Sequence, residues 1–174
     1  ARTLYRLEER RWQVAEFNRT HPLARKGLAL MPVCFGISFT STFLNQAAAL
    51  VHVYTDGSVS VSTAAVEMGQ GVNTKIASIA ARTLGIPAAR IRIETTNTTR
   101  VANTSPTAAS SGADMNGRAT ELACRTILDR LLAVATELLG VEAVRISVAE
   151  GNVLVDGAPS ELAWEKLVWT AYTR

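Results

Sequence analysis

Val66-Glu67-Met68-Gly69-Gln70-Gly71-Val72-Asn73-Thr74-Lys75 is the stretch on which the reading of this chain turns. It joins an alternating, strand-like run to an amphipathic, helix-like one, so it is a strand-to-helix turn. Gly69 and Gly71 bracket one long amide side chain, Gln70, with no bulky neighbour to crowd it. A helix start leaves unpaired N–H groups and a partial positive charge, which favours an anionic or electron-rich ligand. The same residues also make an ordinary glycine-rich turn with an exposed glutamine. Short glycine motifs are common by chance, so this stretch decides nothing alone. A second loop has the same design: Asn103-Thr104-Ser105-Pro106-Thr107-Ala108-Ala109-Ser110-Ser111-Gly112-Ala113-Asp114-Met115-Asn116-Gly117 is a run of small residues that opens a long helix. Two such loops in one domain are placed to grip one ligand from two sides.

Outward from the first loop, Val59, Val61 and Thr63 alternate with Ser58, Ser60 and Ser62, the period of a half-buried strand. Asp56-Gly57 before them predicts a type I′ hairpin turn. Ala47 to Thr55 is a near-continuous apolar run, as in a strand buried on both faces. Asn73 to Leu84 places Ile76, Ile79, Ala80, Thr83 and Leu84 on one helical face. Gly85 suits the left-handed cap beyond it, and Pro87 blocks continuation. Arg90 to Thr96 alternates as a strand.

Asp114 to Leu139 predicts the longest helix, with a stripe of Ala119, Leu122, Ala123, Ile127, Leu131, Ala135 and Leu138. Val144, Ile146 and Val148, a turn at Gly151-Asn152 and Val153 to Val155 form a second hairpin, and Asp156-Gly157 a further turn. Ser160 is then expected to cap a last helix bearing Trp164, Leu167, Val168 and Ala171. At the other end, Thr3 to Asn18 reads as an amphipathic helix stopped by His21-Pro22. Leu28 to Val33 reads as a short strand. Helices and strands interleave without strict alternation and with two hairpins, so the expected fold class is α+β, with mixed sheet packed against several helices.

The 174 residues suffice for one domain with a substantial core, and 48 % of them are apolar. No run is long and apolar enough to span a membrane. The net charge is +3, and much of the excess gathers at Arg2, Arg6, Arg10, Arg11, Arg19, Arg25 and Lys26. Glu8, Glu9 and Glu16 are interleaved with these, which describes a solvated helix face and not a nucleic-acid patch. Neither nucleic acid nor a membrane is an expected partner. Cys34 and Cys124 lack metal or disulfide spacing, and a cytoplasmic location is expected. The charged opening, Ala1 to Arg11, is unlike a signal peptide. A chain opening on Ala1 and closing on Tyr172-Thr173-Arg174 is expected to be a piece of something longer.

Conventional catalytic sets are missing. Two histidines, His21 and His52, make neither a metal cluster nor a triad. Asp56 and Asp156 belong to Asp-Gly turns. Glu67 is either a base or a turn residue, and the structural role is preferred because nothing beside it is shaped to raise its pKa. The residues alone describe a ligand-gripping domain without its own acid–base machinery.

Six segments in order carry a resemblance that spacing could not supply. They are Phe35-Gly36-Ile37-Ser38-Phe39-Thr40, Leu44-Asn45-Gln46-Ala47, His52 to Val59, Glu67-Met68-Gly69-Gln70-Gly71, Thr104 to Ser110, and Asp114 to Gly117. Together they resemble the molybdenum-binding large subunits of the xanthine dehydrogenase and aldehyde oxidase family, the molybdenum hydroxylases. The likeness runs from about Arg10 to the C-terminus and is densest over 35–130.

The resemblance implies that residues 1–174 are one fragment of a molybdopterin-binding domain. It would comprise a helical segment over about 1–26, a cofactor-cradling core over about 27–140, and a hairpin and helix over 141–174. It implies a molybdenum–molybdopterin cofactor contacted by Gly69, Gln70, Gly71, Thr107, Ala108, Ala109, Ser110, Ser111 and Gly112. Ala109 would stand nearest the metal, and Phe39 and Thr40 would touch a purine substrate. The implied reaction hydroxylates a purine such as xanthine or hypoxanthine with oxygen from water, and electrons leave through iron–sulfur clusters to FAD. Those centres are expected on other segments or an iron–sulfur/FAD subunit. No catalytic residue is expected in this fragment, the glutamate base lying outside it, so the chain alone is expected to be inactive. It is also expected to self-associate through surface that the remainder of the molybdenum subunit would cover.

Thr63-Ala64-Ala65-Val66 departs from the His-Gly-Gly-Thr-like run usual in the family, and Ala48 stands where glycine is usual. An autonomous binding or interaction domain that kept the fold and lost the chemistry is the alternative reading.

Overall fold

The computed structural model of the chain describes residues 2–94, 96–101 and 104–174. It divides into two units, Ala1–Gly36 and Ile37–Arg174. In the first, one helix, α1 (Leu7–Thr20), begins later than its apolar pattern suggests, because Arg6 takes a left-handed conformation at its start. Phe17 stacks on His21 with ring centroids 4.0 Å apart, and the Lys26 ammonium lies 3.9 Å from the Phe17 centroid. The Asn18 side chain bonds both the N–H and the C=O of Lys26, holding the chain that follows the helix. The strand expected over Leu28 to Val33 does not form: among the described residues this segment pairs with no strand. Its apolar residues had β character without a partner strand.

The second unit carries two small sheets. In the first sheet, β1 (Ala49–Val53) runs antiparallel to β2 (Val59–Thr63), and β2 runs parallel to β3 (Ile91–Ile93). Parallel neighbours need a crossover, and α2 (Val72–Leu84) supplies it. The loop 66–71 therefore leaves the carboxyl end of β2, where ligands of parallel strands collect.

The two strands exchange the burial expected of them. β1 is an edge strand with only Val51 buried, whereas all five residues of β2 are buried, serines included. Ser60 and Ser62 are each 3 % exposed. The hairpin at Asp56-Gly57 is not type I′: only Gly57 has a positive φ, and its N–H bonds Tyr54 O while Tyr54 N–H bonds Ser58 O. That is a three-residue connection closed by a glycine.

The long helix α3 (Gly112–Leu139) packs on α2. Its buried positions are Asn116, Gly117, Thr120, Cys124, Leu131 and Ala135, while Leu122 and Leu138 of the expected stripe face outward. A Cβ on Gly117 would stand 2.6 Å from Ile79 Cδ1, so glycine sets how closely the two helices meet. The buried Cys124 thiol is pushed up to about 11 by desolvation, an inert packing group.

The second sheet is an antiparallel meander, β4 (Ile146–Ala149), β5 (Asn152–Val155) and β6 (Ala158–Ala163). Glu150-Gly151 and Asp156-Gly157 both have paired positive φ values, so these two turns are type I′. Ser160 lies inside β6 and donates to Val153 O; it does not cap the last helix, α4 (Trp164–Tyr172), which starts after Ala163. Trp164 is fully buried and its Nε1 donates to Gly57 O at 2.9 Å, joining α4 to the β1–β2 hairpin. The sheets and helices share one core that includes Val59, Val61, Ile76, Leu84, Cys124, Val153 and Trp164. This is the α+β class expected. No described helix is long and apolar enough to cross a membrane.

Candidate functional site

The two small-residue loops meet. A cavity of about 310 Å³ is lined by Met68, Gln70, Val72 and Lys75 from the first loop and helix start, and by Thr107, Ala108, Ser110, Gly112 and Ala113 from the second. Thr107 Oγ1 accepts the Val66 N–H at 2.9 Å and fastens one loop to the other. The second loop is fastened again at its far side. Ala109 O accepts the Ser38 N–H at 2.9 Å, and the Ser105 hydroxyl donates to Leu44 O.

Phe39 is held in the same region by a reciprocal pair with Asn45, whose Oδ1 takes the Phe39 N–H and whose Nδ2 donates to Phe39 O, both at 2.9 Å. Of the expected contact residues, Gln70, Thr107, Ala108, Ser110 and Gly112 line the cavity. Gly69, Gly71, Ala109 and Ser111 shape its loops without lining it. Phe39 and Thr40 stand beside the second loop, through Ser38, and not in the cavity wall. Asn103, at the head of the second loop, lies outside the described residues.

Gln70 is oriented by its own loop. Its Oε1 accepts the Met68 N–H at 2.6 Å and its Nε2 donates to Val66 O at 2.7 Å. An amide nitrogen has two hydrogens. One is spent on Val66, so the second is what Gln70 has to offer the cavity it lines. Met68 and Val66 fix which end of the amide is which.

Glu67 turns the other way. It lines a separate hollow of about 240 Å³ with Ala65, Val66, Asn73, Ile93, Glu94 and Thr96. Its Oε1 accepts the N–H groups of Gly69 and Gly71, at 2.9 and 3.0 Å, and its Oε2 accepts that of Asn73 at 3.0 Å. The expectation of an anionic ligand at the start of α2 is thereby corrected: the chain's own carboxylate already takes those amides. The Asn73 amide, then that of Gly71, holds the Glu67 carboxyl below its usual range. A depressed carboxylate facing away from the cavity is a poor general base, which resolves the two readings of Glu67 in favour of the structural one.

The second loop is strained where the first is relaxed. Ala109 and Ser110 have φ values of 53° and 54°, and the Ser111 N–H returns to Ala108 O. Left-handed alanine costs about 1–2 kcal/mol, and such outliers collect at ligand sites. No cluster of three or more His, Cys, Asp or Glu that could hold a metal ion exists among the described residues. Met68, Val72, Lys75 and Ala113 were not anticipated as lining residues. Lys75 had a visible signal: it follows Gly71 by one helical turn, and so shares the face of the loop.

The model of the molybdopterin cofactor-binding domain matches residues 1–174, and the chain belongs to that family. Xanthine dehydrogenase/oxidase of Mus musculus is 53% identical over 124 residues, covering 71% of this chain and 9% of that protein. Xanthine dehydrogenase of Emericella nidulans is 54% identical over 71% of the chain, and aldehyde oxidase 2 of Macaca fascicularis 51% identical over 70%. Among solved structures, quinoline 2-oxidoreductase from Pseudomonas putida 86 superposes with a TM-score of 0.66 at 30% identity, over 72% of this chain and 16% of that one. Carbon monoxide dehydrogenase from Oligotropha carboxidovorans gives 0.63. The chain thus spans about 9% of the length of the curated relatives it matches.

The cavity suits the group the family name implies. A pterin offers donors and acceptors along a flat edge, and the walls present an amide N–H, two hydroxyls and small residues that let a ring approach the backbone. No acidic side chain lines the cavity, and Lys75 adds one positive charge against an anionic group.

Proposed function

We propose that the cavity between residues 68–75 and 107–113 holds molybdopterin, and that the protein containing this chain is a molybdenum hydroxylase acting on purines such as xanthine or hypoxanthine. The observation that carries this reading is the convergence of Gln70 and the 107–112 loop on one cavity lined without a carboxylate. When bound, the cofactor supplies a molybdenum centre that accepts electrons from the substrate carbon, with water as the oxygen source. With the cofactor in place, Gln70 would offer it the remaining Nε2–H, a donor that adds no charge.

Gly69 and Gly71 let the loop turn, Thr107, Ala108, Ser110 and Gly112 would cradle the pterin, and Ser111, behind the wall, holds Ala108 in place through its hydroxyl. Ala109, which bears on the cavity only through its loop, would leave the metal's side of that loop free of bulk. Phe39 and Thr40, anchored through Ser38 and Asn45, meet the substrate, Phe39 by stacking and Thr40 by hydrogen bonding. This chain supplies no catalytic base and is inactive alone; the remainder of the molybdenum subunit and an iron–sulfur/FAD partner complete the enzyme, in the cytoplasm. Identity of 51% to an aldehyde oxidase supports a second reading, in which the substrate is an aldehyde.

The test is Gln70→Ala in the full-length subunit. Turnover at least about tenfold lower, the loss of one transition-state hydrogen bond, is expected. Unchanged turnover and molybdenum content would remove Gln70 from the site. Xanthine-dependent against aldehyde-dependent dye reduction decides the substrate class.

A further inference from the structure

We propose that Glu67 is the positioning residue of this site: its carboxylate gathers the amides of Gly69, Gly71 and Asn73 and so fixes the loop that presents Gln70 to the cavity. The inference rests on the cofactor reading above. Three backbone donors separated along the sequence converge on one side chain, at 2.9, 3.0 and 3.0 Å. Gly69 and Gly71 have φ values of 100° and 78°, and neither would meet an atom within 4 Å if it carried a Cβ. Their requirement is therefore handedness and not space. Left-handed residues alternating with ordinary ones turn successive N–H groups into a common concavity, which an anion fills. Here the anion is internal.

Glu67 acts on one face of the loop and Gln70 on the other. Glu67 O–H–N geometry holds residues 69, 71 and 73, while the Gln70 amide closes on Met68 and Val66. Since Thr107 anchors Val66, every amide just named is held by a side-chain acceptor, and Glu67 holds most of them. Glu67 does not line the cofactor cavity, so it acts through Gln70.

A carboxylate alone meets this need, because it carries two acceptor oxygens and no donor. Glu67→Gln must turn an NH₂ group against either Asn73 N–H or the Gly69 and Gly71 pair. Glu67→Asp keeps the charge but is one methylene short.

The experiment uses the full-length subunit with four variants: Glu67→Gln, Glu67→Asp, Gln70→Ala, and Glu67→Gln with Gln70→Ala. Hydrogen exchange by mass spectrometry on the cofactor-free protein should show amides 68–73 opening about tenfold more often in Glu67→Gln, with Glu67→Asp between it and wild type. In the loaded enzyme, Glu67→Gln should lower kcat about tenfold, and add nothing further once Gln70 is alanine, as for residues acting as one unit. Unchanged exchange, or an equal loss of kcat in both backgrounds, overturns the positioning role while leaving the cofactor site standing. A silent Gln70→Ala overturns the reading beneath it, and the proposal with it.

Discussion

Gly85→Ala and Gly140→Ala should differ sharply although both glycines do the same local job. Each ends a long helix in the left-handed conformation, with φ values of 73° and 65°. An alanine forced there loses about 1–2 kcal/mol. At Gly140 nothing lies within 4 Å of the added Cβ, so the cost stops there. At Gly85 the Cβ would stand 2.0 Å from Val148 O and 2.5 Å from its carbonyl carbon. Both are backbone atoms, so no rotamer relieves the overlap and β4 must move. Overpacking of this kind adds about 1–3 kcal/mol. The movement also breaks the Gly151 N–H bond to Gly85 O at 2.9 Å, worth about another 1 kcal/mol. Gly85→Ala should therefore cost about 3 kcal/mol or more, and Gly140→Ala about 1–2. Equilibrium urea unfolding followed by far-ultraviolet circular dichroism measures both. Equal losses would refute the close approach of the α2 cap to the β4–β5 hairpin.

Other outcomes follow from the same packing. Trp164→Phe keeps most of the ring but strands the Gly57 carbonyl, and should cost about 1–3 kcal/mol in the same assay. Thr107→Val removes the acceptor for Val66 N–H and should lower the molybdenum content of the full-length subunit more than its melting temperature, because Val66 is 44% exposed and water can replace the bond. The Glu67 carboxyl is held below its usual value of 4.5, by the Asn73 amide first. A carboxylate depressed by folding stabilises fully above its unfolded pKa and loses that contribution as pH falls through its folded pKa. Protection of amides 68–73, corrected for intrinsic exchange, should be flat above pH about 4.5 and fall below it, and Glu67→Gln should abolish the dependence. Exposed Leu23, Met31, Val33, Phe35 and Trp169 predict self-association of the separate chain, read by light scattering as growth in mean mass with concentration. A constant monomer mass would count against it.

What the sequence showed was set by local stereochemistry. Gly85 and Gly140 announced helix ends because only a left-handed residue fits there, and Asp156-Gly157 announced its hairpin for the same reason. What it hid was set by partners far along the chain. The Ser58 to Thr63 alternation predicts one wet face, yet Ser60 and Ser62 are buried because β2 is the central strand. β6 contains Pro159 and Glu161 and alternates poorly, so it read as a turn and a cap. The same Ser160 looked like a helix cap and is a strand residue bonded to Val153. At the site, both loops and Gln70 were legible from small residues before helices. The structural role of Glu67 was legible too, but not which amides it takes, since that depends on the side of the loop to which the carboxylate folds; Lys75 showed only its spacing from Gly71, its place in the wall depending on how α2 faces α3.

The most direct measurement is molybdenum and pterin content of the full-length protein purified from its own host, beside an Ala108→Phe variant. A phenyl ring at 108 would occupy much of the 310 Å³ between the loops while sparing the core. Close to one molybdenum and one pterin per subunit in the wild type, with both lost in a folded Ala108→Phe protein, is the result expected. Equal metal and pterin in the two proteins would contradict the cavity as the cofactor site.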